Sequence, residues 1–240
     1  MSSVVRAGNE SLDPAELEAY KFADQSYLGT DKRGDLGDYT YDKDMSDANT
    51  AVWHNHKMKK THVSNRGSTT AYDWGVSDVQ IGLGRESKGA RFKKAVKVAE
   101  DAHKKYGYTI DTSGHSLGGT ASSYQTHELG NNDWYGKATT FNSGVSAGAS
   151  IFSKHRKLCS RTNPDSYCGK ITHLKEDGDA VSNRNVLCDV FTLGMKPKFC
   201  SKRDPFGKTK VFSHSKGKWW RPLSNRVKPH SLTNFVRGKK

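Results

Sequence analysis

No stretch of this 240-residue chain approaches the ~18 consecutive apolar residues of a membrane-spanning helix. The first 30 residues also lack the basic-then-apolar pattern of a secretory leader. With neither signal, a cytoplasmic or particle-associated location is expected. Apolar residues are scarce, at 33% with a mean hydropathy of −0.82, so the core must be economical and the surface heavily charged. Cysteine is rare and one-sided, with Cys159, Cys168, Cys188 and Cys200 all in the C-terminal half. Their spacings of eight and eleven intervening residues do not match paired zinc knuckles, so no metal site is expected of them. An even count permits two disulfides, but without an export signal free thiols are expected. No repeat, low-complexity tract or linker divides the chain, so residues 1–240 are read as a single domain.

Negative charge is in the minority. Lys and Arg number 39 against 25 Asp and Glu, a formal net charge of +14. Such a surface is drawn to anionic partners, either lipid headgroups or nucleic acid, and charge alone does not separate them. Trp219-Trp220-Arg221 interleaves aromatic with basic character and favours peripheral contact with an anionic membrane surface. The lysine-rich C-terminus, Arg237-Gly-Lys-Lys240, reads as a solvated tail.

What the chain does contain is Gly114-His-Ser-Leu-Gly-Gly119, a match to Gly-x-Ser-x-Gly. In that motif the serine occupies the apex of a sharp strand-to-helix turn, which lifts its hydroxyl clear of the backbone. Glycines flank it because side chains would collide across the turn. The amide of Leu117, at a helix start, would point where a tetrahedral oxyanion forms. Context strengthens the match. Tyr108 to Ser113 is a β-branched run of strand length, although Asp111 and Thr112 interrupt the apolar pattern usual for a central parallel strand. Thr120 to Leu129 lacks proline and stops at Gly130, as a helix would. Near the N-terminus, Asp13 as N-cap, Pro14 at the first turn and Glu16 completing a capping box predict a helix over about 13–28, with Leu17, Tyr20 and Tyr27 on one side.

A serine hydroxyl needs a base, and the base needs an orienting carboxylate. With this elbow the chain order is Ser, then Asp or Glu, then His. Ile171-Thr-His-Leu174 predicts a short strand, and the loop after it carries Asp177 and Asp179. Asp179, followed by apolar Ala180-Val181, is the preferred acid and Asp177 its rival, since carboxylates just past such strand ends lie where these sheets carry their sites. Downstream, His230 precedes the amphipathic Ser231-Leu-Thr-Asn-Phe-Val236 and is preferred as base over His214, which sits among Lys and Ser. His54, His56 and His62 are expected to be solvated strand or turn residues. Lys60 to Asn65 predicts another strand, and Arg66-Gly67-Ser68 after it offers the Ser68 amide as a second oxyanion donor. Tyr72 and Trp74 beyond it suggest a lid, and with His115 they are the candidate lid and substrate-binding residues.

Four blocks in order give the chain a resemblance to the class 3 (fungal-type) lipase family and its phospholipase relatives, within the α/β-hydrolase superfamily. They are Arg66-Gly67-Ser68 with Asp73-Trp74 and Asp78; an amphipathic helix from about Ser87 to Tyr106 with Phe92, Val96, Ala99 and His103 on one stripe; Gly114–Gly119; and the strand Thr139-Thr-Phe-Asn142. The likeness covers roughly residues 60–182 plus His230. It implies an α/β fold, a mostly parallel sheet flanked by helices, and a core over about 50–182. In such a fold the cysteine-bearing, lysine-rich region 151–240 would complete the site with His230. It also implies a lipid carboxylic-ester substrate, Ser116, Asp179 and His230 as nucleophile, acid and base, and no metal or other cofactor. Asn142-Ser-Gly-Val departs from the Gly-Pro-Arg-like turn usual at that point. A non-enzymatic alternative is a lipase-like fold kept as a basic binding protein for membrane, nucleic acid or a particle.

Overall fold

Two-residue alternation along the central strands decides how the layers form. In strand β3 (Thr50–Asn55) Trp53 is buried among Phe22, Tyr39 and Ala51. Its neighbour Val52 is buried in a different cluster with Val63, Ala99, Ala102 and Ile110. Successive side chains of a strand point to opposite faces, so both faces of this sheet are covered. We describe the chain from a computed structural model; the structure describes residues 4–7, 11–68, 90–144, 167–176, 179, 207–212 and 231–236.

The remaining strands are β1 (Val4–Ala7), β2 (Thr40–Asp42), β4 (Lys60–Asn65), β5 (Thr109–His115), β6 (Tyr135–Phe141), β7 (Ile171–Glu176) and β8 (Lys208–Phe212). They form one sheet in the order β1-β8-β7-β6-β5-β4-β3-β2. Pairing is parallel from β4 through β8 and on to β1, and antiparallel only at β2–β3 and β3–β4. Helix α1 (Pro14–Gln25) covers one face through Phe22. Helices α2 (Ala90–Tyr106) and α3 (Leu117–Leu129) bring Ala99, Ala102 and Leu129 to the other. The mostly parallel sheet flanked by helices is an α/β-hydrolase fold, as the resemblance implied.

The first helix begins as its sequence directs. Asp13 Oδ1 accepts the Glu16 N–H at 2.9 Å, and the Glu16 carboxylate accepts the Asp13 N–H at 2.9 Å. Two N-terminal donors are thereby satisfied. The helix ends at Gln25, so Tyr27 falls in the turn beyond it, and Leu17 is exposed rather than packed. The stripe expected on α2 is also rotated. Phe92, Ala95, Ala99 and Ala102 are the buried residues, while Val96 and His103 sit at the margin.

Apolar scarcity is offset by a core that is partly polar, with hydrogen bonds joining α3 to the sheet and to α2. In α3 the buried Ser122, Ser123 and Thr126 hydroxyls donate to carbonyls one turn back, at 3.2, 2.9 and 3.0 Å. Gln125 donates to the Ala95 carbonyl at 2.7 Å and accepts from the Asn65 amide at 2.7 Å. The Tyr135 hydroxyl bonds Thr112 at 2.9 Å and Thr126 at 3.0 Å. Each such group left unpaired would cost about 1–3 kcal/mol, so the network must be complete to serve as a core. Asp111 likewise finds partners within the sheet. It pairs with Lys60 Nζ at 3.0 Å and accepts the Lys137 N–H at 2.7 Å, at the register break between β5 and β6.

His62 corrects an expectation. It is buried, stacked on Phe22 with ring centroids 3.9 Å apart, and its Nε2 lies 2.8 Å from Ser113 Oγ. Strand alternation turns it beneath α1. Of the other two, His54 is half-buried and His56 exposed. The expectation of free thiols also fails at Cys168, the described cysteine, which is disulfide-bonded. It stands in a 3-10 turn, Tyr167–Lys170, against Ala138 and Ile171. The other three cysteines lie outside the described residues. Pairing is decided by how close the folded chain brings two thiols, which the linear spacing of the cysteines does not carry.

Candidate active site at the C-terminal edge of the sheet

Parallel strands end on a common edge, and register makes three of those ends level here. His115 pairs with Phe141, and Phe141 pairs with Leu174. Ser116 follows β5, Ser68 lies three residues past β4, and Asp179 lies three residues past β7. Each sequence-chosen group that is described therefore belongs to the edge where open α/β sheets bind ligands.

Ser116 is the local centre. Its backbone has φ 56° and ψ −124°, a conformation rare for a residue with a side chain and costing about 1–3 kcal/mol. It is held there by its N–H donating to the Phe141 carbonyl at 3.0 Å and its carbonyl accepting from Thr120 N–H at 3.1 Å. Although it stands at the N-cap position of α3, its hydroxyl caps no helix N–H. The turn closes because a side chain at Gly118 would meet the Asn65 carbonyl, and one at Gly114 the Gly118 carbonyl. Leu117, half-exposed, begins α3, whose first turn carries no acid to offset the positive end of the helix.

The Arg66-Gly67-Ser68 loop runs directly against this elbow. A Cβ at Gly67 would lie 2.7 Å from the His115 carbonyl and 3.3 Å from Ser116 Cβ, and would also strike the Tyr27 hydroxyl. The Gly67 backbone thus lies against that hydroxyl, and its amide acts to lower the hydroxyl's pKa. Ser68, half-exposed, is next in the chain. Arg91 donates to the Arg66 carbonyl, and the Arg66 N–H donates to Asn49 O at 2.8 Å, which fix the loop from both sides.

Asp179 is fully buried, and its N–H closes a turn onto the Glu176 carbonyl at 3.2 Å. The strand before it is longer than expected, because Lys175 and Glu176 remain in β7. Asp177 lies outside the described residues. His230 does too, as do His214, Tyr72 and Trp74. The residues just after His230 are described: Leu232–Phe235 form a 3-10 turn that buries Leu232 and Phe235 against Phe141 and Phe212. The Phe235 and Phe141 rings meet edge to face at 5.3 Å, and Phe141 is the residue whose carbonyl holds Ser116. His115, expected among the substrate-binding residues, is buried beside the elbow with Nδ1 2.7 Å from Tyr27 Oη. Tyr27, on one side of the expected helix, reaches the site, and no local pattern in the sequence signals this.

Burial pushes the Tyr27 hydroxyl's pKa up, opposed by the Gly67 amide and the charges of Arg91 and Arg66, so it remains protonated. Among the described residues no group of three or more His, Cys, Asp or Glu gathers to hold a metal. Nor is any described helix long and apolar enough to cross a membrane.

A triacylglycerol lipase from Penicillium expansum superposes with a TM-score of 0.52 at 19% identity, over 84% of this chain and 81% of that one. The nonglycosylated LIP2 lipase of Yarrowia lipolytica gives 0.50 at 14% identity, over 74% and 78%. At such identities the likeness is one of fold. No curated protein sequence matches the chain. The phospholipase-like family described as the Tle-like phospholipase domain matches residues 5–182, a span that contains the elbow, the Arg66–Ser68 loop and Asp179. The chain belongs to the Tle-like phospholipase domain family and thereby stands among the lipid-ester hydrolases.

Proposed function

We propose that the protein is a serine esterase that cleaves phospholipids at a membrane surface through an acyl-enzyme intermediate. The strained backbone of Ser116 carries the reading. A conformation costing about 1–3 kcal/mol persists only where surroundings enforce it, and here it exposes a hydroxyl between a helix start and a glycine loop.

Ser116 Oγ attacks the ester carbonyl while His230 accepts its proton. Asp179 orients the imidazole and offsets the charge it gains. The Leu117 amide and the Ser68 amide donate to the oxyanion. Two observations support this donor pair. Ser68 follows Gly67, whose backbone lies against the elbow, and Leu117 begins a helix with no acid in its first turn. His230 then protonates the leaving alcohol, and water repeats the sequence on the acyl-enzyme. The burial of Asp179 suits an orienting carboxylate, and the packing of Leu232 and Phe235 in one cluster with Phe141 anchors the chain two residues after His230 close to the elbow.

Phospholipid is favoured over neutral fat by charge. Arg66 and Arg91 act on Tyr27 beside the elbow, and the chain carries +14 overall. Cationic surroundings attract a phosphate headgroup and an anionic bilayer. The deciding experiment is fatty-acid release from vesicles of anionic and of zwitterionic phospholipid by the wild type and by Ser116→Ala. Release by the wild type alone supports the reading. Equal release by both, or none from any ester together with no labelling by a fluorophosphonate, sinks it.

A further inference from the structure

We propose that Tyr27 is a positioning residue of this site, whose hydroxyl locks the Arg66–Ser68 loop to the elbow by bonding the Gly67 amide and His115 Nδ1 together. The inference rests on the serine-esterase reading for its kinetic consequence and on geometry alone for the contact.

Hydrogen-bond accounting gives the link a direction. A phenol has one proton to donate and lone pairs with which to accept. The Gly67 backbone lies so close that a side chain there would strike Tyr27 Oη, and its amide acts on that oxygen as a donor, on the accepting side. The phenol's own proton then goes to His115 Nδ1, 2.7 Å away. His115 is therefore held as the neutral tautomer with its proton on Nε2. The result is a bridge from the loop after β4 to the last residue of β5, one residue before Ser116. The oxyanion donors proposed above lie one and two residues from its ends: Ser68 follows Gly67, and Leu117 stands two after His115. The separation of the two amides is what an oxyanion site must hold constant, and this single hydroxyl spans the gap.

Tyr27 is in turn fixed by the chain on both sides. The buried Arg33 guanidinium donates to the Ser26 carbonyl at 2.8 Å and the Leu28 carbonyl at 3.1 Å, the two residues that flank it. It also donates to the Asp47 carbonyl at 2.7 Å, which ties the turn to the β2–β3 connection. Asp47 accepts the Asn49 and Thr50 N–H groups at 2.7 and 2.8 Å, and Asn49 O holds Arg66. The path from Arg33 returns to the oxyanion loop, so the turn after α1 belongs to the site's scaffold.

Two measurements on the full chain test this. In a long-range proton–nitrogen NMR spectrum of the wild type, His115 should appear as the Nε2–H tautomer, with Nδ1 as the acceptor. In Tyr27→Phe, which keeps the ring and removes only the hydroxyl, that fixed tautomer should be lost. With a soluble p-nitrophenyl ester, Tyr27→Phe should lower kcat by about 10- to 100-fold, the scale expected of a slight misplacement of donors. KM should stay within about twofold, since binding of ground-state ester does not use the bridge. An Nδ1–H tautomer in the wild type, or an unchanged kcat in folded Tyr27→Phe, overturns the proposal. If the wild type cleaves no ester, the esterase reading fails by itself, and the tautomer still judges the contact. The tautomer also decides the matter should Tyr27→Phe not fold.

Discussion

The backbone N–H of Glu176 donates to Oδ1 of Asn142 at 2.8 Å, and the N–H of Asn142 donates to the Leu174 carbonyl at 2.8 Å. Asn142 thus grips the end of β7 from the end of β6, just before the turn that carries Asp179. This is the position where the chain departs from the Gly-Pro-Arg-like turn of the lipases it resembles. Its φ of 43° is one that asparagine tolerates better than alanine. Asn142→Ala should therefore lose an acceptor for a buried N–H and also strain the backbone, at about 2–4 kcal/mol together. Asn142→Gly should lose only the acceptor. Urea midpoints ranking Gly above Ala support this account; the reverse order contradicts it.

Ser116 combines a reactive position with an unfavourable backbone, so stability and activity should oppose each other there. Ser116→Gly relieves φ 56° and should unfold at higher temperature than Ser116→Ala, by about 1 kcal/mol in stability. Both variants should be inactive on p-nitrophenyl esters. A Gly variant less stable than Ala would mean the elbow is not strained.

The acid and base assignments separate cleanly by mutation. Asp179→Asn should lower turnover by several orders of magnitude, about 10⁴ by analogy with the best-studied triad, while Asp177→Asn is tolerated. His230→Ala should approach the effect of Ser116→Ala, whereas His214→Ala stays mild. An inactivating His214→Ala would transfer the role of base to that residue.

Burial of His62 sets an acid limit on the fold. Burial pushes its pKa down to about 3, below the ordinary 6.5. Between these values the unfolded chain takes up a proton that the folded chain refuses, so the stability present above pH 6.5 is lost as pH falls toward 3. At pH 4.5 the loss from this group should be about 2–3 kcal/mol. The half-buried His54, also lowered by burial and then by His56, acts in the same direction. In Asp42 and Asp47 hydrogen bonds and lysine partners outweigh burial and lower the pKa, so their stabilising effect is lost only below the usual carboxylate value of 3.8. Urea midpoints at pH 7 and 4.5 should therefore converge for His62→Gln relative to the wild type. An equal drop in both proteins would remove His62 from the explanation.

Surface charge and chemistry respond differently to salt. Screening lengths shorten from about 10 Å at 0.1 M to about 3 Å at 1 M. Binding to anionic vesicles should fall steeply over that range, while hydrolysis of a soluble ester barely changes. Equal, salt-insensitive binding to neutral and anionic vesicles would assign the basic surface to another partner, with duplex DNA the next ligand to test.

Short-range signals in the chain determined a good deal of this protein. Asp13, Pro14 and Glu16 announce α1 because capping depends on residues three apart. Gly114 to Gly119 announces the elbow because the turn's steric demands fall within one pentapeptide. The strand Lys60–Asn65 and the end of α3 at Gly130 were legible for the same reason. What only the tertiary structure decided depends on residues far apart in sequence. Whether His62 is solvated or stacked under Phe22 depends on which face α1 covers, 40 positions earlier. Whether Ser122, Gln125 and Thr126 mark a surface or a core depends on Asn65, Ala95 and Tyr135 arriving to pair with them. Tyr27 reaches His115 across 88 residues of chain, and no periodicity carries that information. Local sequence sets backbone conformation through sterics and capping; partnership between polar groups is settled only when the layers close and each buried donor must find its acceptor.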